Sequence, residues 1–340
     1  MDSQLLPVFV PPLAMLLAKA EKSKGGKLTS SEILKVRDQA VCIMMRPETA
    51  RHMDLQRGYR DVNPENCWAD WHRLRSQLTG NGYLPKLVLC IVGDQGFESR
   101  SRSILDEAGV EYEFRPPDSR MVTAFRASQR GLRSSLHEQN FNAIAHHQSV
   151  LYFLSNNFTA QKAASVALAF LRLGHKLLSE AGGIAIKCES SGVAHSRHEW
   201  ERLAIAAESS HSVFTGPSST AFWVAALTAY VQVPIESDTD FYTCGLHLLG
   251  IPDLTMNREV MIGTEAKDQN GTAQAHFFED FALYLLAECV HGQFAPGHTF
   301  RADAAQNNLK ATWEECTLYE EDDFFHNPFG IWRFENTCHK

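Results

Sequence analysis

The segment CESSGVAHSRHEW, residues 188–200, holds the densest group of side chains that could do chemistry. His195 and His198 are three residues apart, so a helix would place both imidazoles on one side, next to Glu199. Imidazole and thiolate are zinc ligands, and Cys188 could add a third ligand if the chain folded back on itself. The spacing differs from the H-E-x-x-H pattern of zinc proteases, and a chain with 15 histidines is expected to hold one close pair by chance. A metal-dependent hydrolase that uses His195 and His198 is therefore the alternative prediction, and a protein without metal or other cofactor is the leading one.

Other patterns that could do chemistry are weaker still. The run YTCGLHLLGIPD carries Cys244 and His247, but its apolar residues predict a strand, which would place these two side chains on opposite faces. His146 and His147 also fall on a predicted strand, with one of them expected to be buried. The loop at residues 93–96 lacks the third glycine of a dinucleotide fingerprint and the Gly-Lys-Ser/Thr of a P-loop, and no serine sits in a G-x-S-x-G motif. The sequence therefore predicts no catalytic residues and no enzyme.

Composition places the chain among ordinary globular proteins. It has 340 residues, of which 44% are hydrophobic and 21% are charged. No apolar run approaches the roughly 18 residues of a membrane span. The apolar N-terminal stretch has no basic residue before Lys19 and is interrupted by prolines, which favours a lead-in to a helix of the mature protein over a signal peptide. The eight cysteines form no C-x-x-C pair, which indicates a reducing compartment. These features predict a cytoplasmic bacterial protein with no membrane partner.

Three helices are predicted for a helical N-terminal domain at residues 1–82. The first runs from about Pro12 to Ser23, and the second begins at the capping-box pattern Thr29-x-x-Glu32. The third begins at Asn63-Pro64, with its tryptophans at helical spacing assigned to the core.

Residues 83–340 are predicted to form a mixed α+β domain with a largely antiparallel sheet. PKLVLCIVG, a helix at 98–108 and VEYEFR suggest a β-α-β order, and residues 119–140 look helical. Further strands are predicted at 143–157, 184–188, 242–249, 254–262, 311–318 and 329–335, with helices at 160–181, near 196–204 and at 275–290. Strands in clusters with helices between them indicate the α+β class. A subdivision near residue 215 is left open.

Charge is distributed unevenly along the chain. Residues 1–214 hold 26 Lys and Arg against 22 Asp and Glu, whereas residues 215–340 hold 6 against 18. The acidic part includes WEECTLYEEDDFF, where carboxylates stand beside aromatic residues. Aromatic anchors and complementary charge suit a docking surface for a basic protein, and a solvated acidic face is the other interpretation. The predicted partner-binding residues are Glu314, Glu315, Glu320, Glu321, Asp322, Asp323, Phe324 and Phe325.

The same acidity makes a nucleic-acid partner unlikely for residues 215–340. A weaker nucleic-acid possibility is left open by a series of arginines between residues 100 and 133, namely Arg100, Arg102, Arg115, Arg120, Arg126, Arg130 and Arg133.

The order of GGIAIK, HSRHEW, GLHLLGIPD, FFEDFALYLLAECV and PGHTF, over about residues 160–335, resembles a family of bacterial proteins catalogued as a domain of unknown function. The N-terminal stretch, with PPLAMLLAKAEKSKGGKLTSSEILKVRDQAVCIMM, resembles a leader domain of hypothetical Gram-negative proteins. Chains of this build resemble immunity proteins encoded beside secreted antibacterial toxins, including type VI effectors. The resemblance implies a non-enzymatic protein that neutralises a cognate basic toxin, a nuclease effector among the candidates, and it carries over no catalytic residue. A scaffold role in a bacterial assembly and homo-oligomer formation are left open.

Overall fold

The structure is a computed structural model of the chain. It describes residues 5–57, 59–79, 84–128, 136–209, 220–260, 272–288, 299–300 and 309–336. Helices combine with mainly antiparallel sheets, so the protein belongs to the α+β class, as predicted. The chain divides into two compact units, Met1–Leu84 and Pro85–Lys340. The predicted domain boundary after residue 82 and the subdivision near residue 215 both lie outside the described residues.

In its described residues, the first unit combines four α-helices with a two-stranded antiparallel sheet. The helices are α1 (Leu13–Lys24), α2 (Ser30–Gln39), α3 (Pro47–Arg57) and α4 (Cys67–Thr79), and the strands are β1 (Leu6–Phe9) and β2 (Cys42–Met45). The predicted capping box is present: Thr29 accepts from the Glu32 amide, and the Glu32 carboxylate accepts from the Thr29 amide. The prediction of three helices for this unit was incomplete, because both strands and α3 were not predicted.

The buried Glu21 and the half-buried Asp61 hold elements of this unit together. Glu21 accepts hydrogen bonds from the indole Nε1 of Trp71 at 3.2 Å and from Nε of Arg75 at 2.7 Å. Asp61 accepts from the first two amides of α1, each at 2.9 Å. Asp61 therefore caps the N-terminus of α1, because the N-cap residue Pro12 has no side chain that can accept a hydrogen bond.

Among the described residues, the first sheet of the second unit has five antiparallel strands. They are β3 (Val88–Gly93), β4 (Glu111–Arg115), β5 (Ser149–Leu154), β6 (Gly183–Cys188) and β7 (Val193–Ser196), in the order β4-β5-β3-β6-β7. The helices along this part of the chain are α5 (Phe97–Ala108), α6 (Met121–Ala127), α7 (Glu138–Ala145), α8 (Ala160–Glu180) and α9 (Arg197–Ser209). The predicted β-α-β order is correct for β3, α5 and β4, but β5 lies between the two strands and pairs with both.

The second sheet of this unit follows α10 (Thr220–Tyr230). Its strands are β8 (Gln232–Glu236), β9 (Asp240–Cys244), β10 (Asp253–Asn257), β11 (Thr299–Phe300), β12 (Leu309–Glu314) and β13 (Ile331–Asn336). The order is β11-β12-β13-β10-β9-β8, and α11 (Thr272–Glu288) lies between β10 and β11 in the chain. Strands β10 and β13 are parallel, and the other neighbours are antiparallel.

Two predicted strands are wrong at one end: the strand predicted at 242–249 extends too far, and the strand predicted at 143–157 starts too early. The strand predicted at 242–249 stops at Cys244, and a 3₁₀ helix, Leu246–Leu249, follows Gly245, whose φ is 115°. In an apolar run this short, periodicity alone cannot distinguish a strand from a turn of helix. His247 therefore lies in a helical turn and is fully buried, with its Nδ1 4.0 Å from Oδ2 of Asp253.

In place of the strand predicted at 143–157, β5 begins only at Ser149, because residues 143–145 form the end of α7. His146 and His147 lie in the turn before β5, and His147 is the buried one of the two. His147 Nε2 accepts from the Asp118 amide at 3.0 Å, so Nδ1 carries the proton and donates to the carbonyl of Ile144 at 2.6 Å. The His147 ring is therefore a structural link between two turns.

The core of the second unit forms around α8. Trp200 on α9 is fully buried and donates from Nε1 to the carbonyl of Leu171 at 3.1 Å. Gly174 on α8 allows this approach, because a Cβ there would lie 2.7 Å from the indole nitrogen. Within the described part of the chain, no helix has the length and apolar character needed to cross a membrane.

Candidate functional site

Five of the six predicted acidic residues lie on the connection between β12 and β13, residues 315–330, which we call the acidic loop, and Glu314 is the last residue of β12. The sequence has no lysine or arginine between Lys310 and Arg333, while it places six carboxylates in that interval. The loop itself therefore carries a net negative charge, and such a charge attracts a positive partner over about a Debye length.

A buried hydrogen-bond network fixes the end of the acidic loop to the second sheet. Asn327 is 1% exposed and donates from Nδ2 to Oδ2 of Asp253 at 2.7 Å and to the carbonyl of Ile251 at 3.1 Å. Asp253 Oδ1 in turn accepts from the Thr243 hydroxyl at 2.9 Å and from the Leu246 amide at 3.2 Å. Hydrogen bonds to a buried carboxylate are among the stronger ones, so this network holds the loop in one position.

Shorter contacts shape the acidic loop from inside. The Tyr319 and Phe325 rings have centroids 5.3 Å apart, and Nδ1 of His326 lies 3.2 Å from the Tyr319 carbonyl. Asp323 accepts the Phe325 amide at Oδ1, at 2.9 Å. These contacts fold residues 319–326 back on themselves, and the side chains between them turn outward.

The predicted partner-binding residues fall into two groups. The first group is exposed and comprises Glu315, Glu320, Glu321, Asp322 and Phe324. The side chain of Phe324 is 47% exposed. Glu314 instead belongs to the sheet, where it accepts from Nε of Arg333 at 2.8 Å. Asp323 and Phe325 are half-buried and serve the internal contacts of the loop. The outward-facing set is therefore narrower than the predicted one and centres on residues 320–324.

Cys244 at the end of β9 and Cys316 in the acidic loop are poor nucleophiles. Burial raises the pKa of the Cys244 thiol well above its ordinary value, and burial also raises the pKa of Cys316. A thiol that stays protonated at neutral pH is a weak nucleophile, because the thiolate is the reactive form. The nearby groups therefore give the loop support and not chemistry.

The histidine pair of the alternative prediction is not arranged as a metal site. His195 lies on β7 and is 1% exposed, whereas His198 is an exposed residue at the start of α9. The prediction that one helix carries both imidazoles is wrong, because the strand continues through Ser196. Cys188 is fully buried, and burial raises the pKa of its thiol to about 12. Among the described residues, no group of three or more His, Cys, Asp or Glu side chains could hold a metal ion.

His195 instead makes the stability of the second unit depend on pH. Burial lowers the pKa of its imidazole to about 4 from the ordinary 6.5, and Nε2 lies 3.3 Å from the Ala229 carbonyl. Because the unfolded chain binds the proton more readily, the contribution is complete above pH 6.5 and is lost as the pH falls towards 4. Between about pH 7.5 and about pH 4.5, the free energy of unfolding should fall by about 2.5 kcal/mol more in the native protein than in His195→Leu. Urea denaturation of both proteins at the two pH values measures this difference, and equal losses would contradict the assignment.

The arginine series does not form an open phosphate-binding surface in the described residues. Each described member is paired with an acidic side chain: Arg100 with Asp94, Arg102 with Glu98, Arg115 with Glu113, Arg120 with Asp118, and Arg126 with Glu138. Arg130 and Arg133 lie outside the described residues. Since these pairs offset the positive charge locally, the series gives little support to a nucleic-acid partner.

Comparison with models of known protein families, with curated proteins and with solved structures finds no match for this chain in any of the three.

Proposed function

We propose that this chain is a non-enzymatic binding protein that neutralises a basic protein toxin, as an immunity protein does, and that the acidic loop is its docking surface. The observation that carries the proposal is the exposed set of Glu320, Glu321, Asp322 and Phe324 on a loop fixed by the buried Asn327–Asp253 hydrogen bond. An exposed aromatic side chain that follows a run of exposed carboxylates in the chain combines an interface anchor with long-range attraction. A fixed loop also loses little conformational entropy on binding.

The charge of the loop favours a toxin that itself binds a polyanion. A nuclease needs a positive cleft to hold phosphates, and an acidic loop can fill such a cleft and compete with the nucleic acid. The cytoplasm is where such a toxin would have to be stopped, which accords with the proposed location of this chain. The metal-dependent hydrolase receives no support, because His195 and His198 do not converge.

Reversing the exposed charges of the loop should weaken partner binding without unfolding the chain. We expect Glu320→Lys/Glu321→Lys/Asp322→Lys to lower the association rate constant by at least about tenfold, because electrostatic steering is lost. The free energy of unfolding should change by no more than about 0.5 kcal/mol per exposed substitution. Tagged protein captures the partner from cells of the native host, and biosensor kinetics at low and high salt measure the rates.

A matched control uses exposed carboxylates elsewhere on the second unit. Glu111→Lys/Glu180→Lys/Asp238→Lys makes the same change in net charge on side chains that are also exposed. This control should bind the basic partner with the native association rate constant, whereas the loop variant should bind it more slowly. The partner should also be toxic when expressed alone and harmless when co-expressed with the native chain. Equal binding by both triple variants would place the interface elsewhere, and a non-toxic partner would favour a scaffold role.

Phe324 should be the energetic centre of the docking surface. Phe324→Ala is expected to weaken partner binding by about 2 kcal/mol, roughly 30-fold, mainly through faster dissociation. The stability of the chain should hardly change, since this side chain is 47% exposed. Val224→Ala, which truncates a 40% exposed side chain on α10, is the control and should leave the dissociation rate unchanged. A Phe324 variant that dissociates at the native rate would show that the aromatic side chain is no anchor.

A further inference from the structure

The two-stranded sheet of β1 and β2 has an outer edge on each strand. In an antiparallel pair, residues that bond to the facing strand alternate with residues whose backbone groups point outward. The Val10 amide donates to the Val41 carbonyl at 3.0 Å, which fixes this alternation for the whole register. The backbone groups of Cys42 and Met44 therefore point away from β1, to the outer edge of β2.

The edge of β1 is protected against pairing with another strand. Its outward-facing residues are Pro7 and Phe9, and proline has no N–H to donate. Phe9 is also buried in the core of the first unit. Proline in an edge strand is one of the usual devices against unwanted strand addition.

The edge of β2 has no such protection. The backbone amides and carbonyls of Cys42 and Met44 have no hydrogen-bond partner among the described residues. The side chains of residues 41–44 are all apolar and exposed, up to 66% for Val41. No proline or charged residue interrupts residues 40–45. Since lipid offers no partner to backbone N–H and C=O groups, the occupant that fits this edge is another strand.

A second copy of β2 satisfies this edge completely. When two β2 strands run antiparallel with Ile43 facing Ile43, Cys42 of each copy lies opposite Met44 of the other. Both of these pairs are then of the hydrogen-bonded kind, so every outward-facing amide and carbonyl of Cys42 and Met44 gains a partner. The two-stranded sheet of each copy becomes half of a four-stranded sheet, which is the more stable arrangement.

The charges at the two ends of β2 suit this antiparallel arrangement. Arg37 and Asp38 precede the strand, and Arg46 and Glu48 follow it. Antiparallel pairing brings the end of one copy that carries Arg46 to the end of the other copy that carries Asp38. The Asp38 side chain is 62% exposed and Arg46 is also exposed, so opposite charges meet at both ends of the paired strands. Such surface charges set the direction of pairing more than its affinity.

We propose that the outer edge of β2 is a self-association surface, through which two copies of the chain form an antiparallel dimer with Ile43 at the two-fold axis. The interface is small, so the dimer is weak and reversible, with a dissociation constant on the order of 10 µM. The surface lies in the first unit and involves no residue of the acidic loop, so dimer formation does not depend on toxin binding.

Sedimentation equilibrium of the full chain at physiological salt tests the proposal. We expect the apparent mass to rise from 38.1 kDa towards twice that value as the concentration passes about 10 µM. Ile43→Lys should raise the dissociation constant at least about tenfold, because two equal charges would face each other at the axis. Ile205→Lys makes the same change at a 52% exposed isoleucine of the second unit and should dimerise as the native chain does.

A charge-swap mixture tests the register of the two strands. Ile43→Glu alone should also be monomeric at about 10 µM, whereas an equimolar mixture of Ile43→Lys and Ile43→Glu should associate again, because opposite charges then face each other. Met44→Pro should weaken the dimer and leave the pairing of β1 with β2 intact, since the N–H that it removes points outward. Circular dichroism checks that each variant is folded.

A native chain that stays monomeric up to about 200 µM overturns the proposal and assigns the open edge to a strand of a different protein. Equally tight dimers of the native chain and of folded Ile43→Lys would overturn it too. A mixture of the lysine and glutamate variants that remains monomeric has the same consequence, because Ile43 would then not lie at the axis.

Discussion

Replacing Asp253 by alanine should lower the free energy of unfolding of the second unit by about 4 kcal/mol. The carboxylate of Asp253 is 3% exposed and accepts from Thr243, Leu246 and Asn327. Alanine leaves the Thr243 hydroxyl and the Leu246 amide without an acceptor and removes one of the two acceptors of Asn327, at about 1–3 kcal/mol for each buried donor left unpaired. The removal of a buried charge offsets part of this loss, so the total stays below the sum of these costs.

Urea denaturation followed by circular dichroism measures the effect. Asp253→Asn should cost less, about 2 kcal/mol, since it keeps one acceptor oxygen. Asp238→Ala removes an exposed carboxylate of the same unit and should change the free energy of unfolding by no more than about 0.5 kcal/mol. A loss below about 1 kcal/mol in Asp253→Ala would mean that the network is not needed for stability. Asp253→Ala should also weaken partner binding, because the acidic loop loses its anchor.

Gly245→Ala is expected to be equally damaging, at about 4 kcal/mol. Gly245 has a φ of 115°, outside the range that side chains ordinarily allow, and a Cβ would lie 2.3 Å from the Tyr230 carbonyl oxygen. Backbone strain of about 1–3 kcal/mol adds to the cost of forcing apart packed atoms, about 1–3 kcal/mol. Thermal unfolding should show a loss of more than about 10 °C if the unit unfolds in one step.

Gly109 separates the two causes of that loss. Its φ is 62°, yet nothing lies within 4 Å of an added Cβ, so Gly109→Ala carries only the conformational cost of about 1–2 kcal/mol. Gly245→Ala should therefore lose at least about 2 kcal/mol more than Gly109→Ala. Similar losses in the two variants would show that the turn at Gly245 relaxes around a side chain.

Local signals predicted much of the fold from the sequence. The capping box at Thr29, the buried strand that became β3 and the long helix α8 each have a pattern confined to neighbouring residues. The errors fall where such patterns are ambiguous or absent. LHLL is too short to distinguish a strand from a turn of helix, and β2 is a four-residue strand whose burial pattern does not alternate.

The acidic and aromatic residues of the loop were predicted from the sequence, but the buried hydrogen bonds that hold the loop were not. The acidic and aromatic residues are visible in the sequence because they are neighbours. Asp253 and Asn327 are 74 residues apart, and nothing in either local sequence indicates their hydrogen bond. For His195 and His198 the error was the reverse: they are close in the sequence, which suggested a shared function, but the end of β7 lies between them and places them on different elements. Pairings distant along the chain depend on the sheet order, which no local pattern specifies.

The parallel pairing of β10 with β13 has a consequence for biosynthesis. β10 leaves the ribosome well before β13, its neighbour in the sheet, and Asn327 precedes β13 by only a few residues. A nascent chain that has been translated as far as His326 already carries every carboxylate of the acidic loop. It still lacks Asn327, whose side-chain amide bonds to Asp253 and fixes the loop. Contacts so distant along the chain form late in folding. The finished second sheet and the organised acidic loop therefore arise together, so an incomplete chain cannot present the proposed docking surface in its final shape.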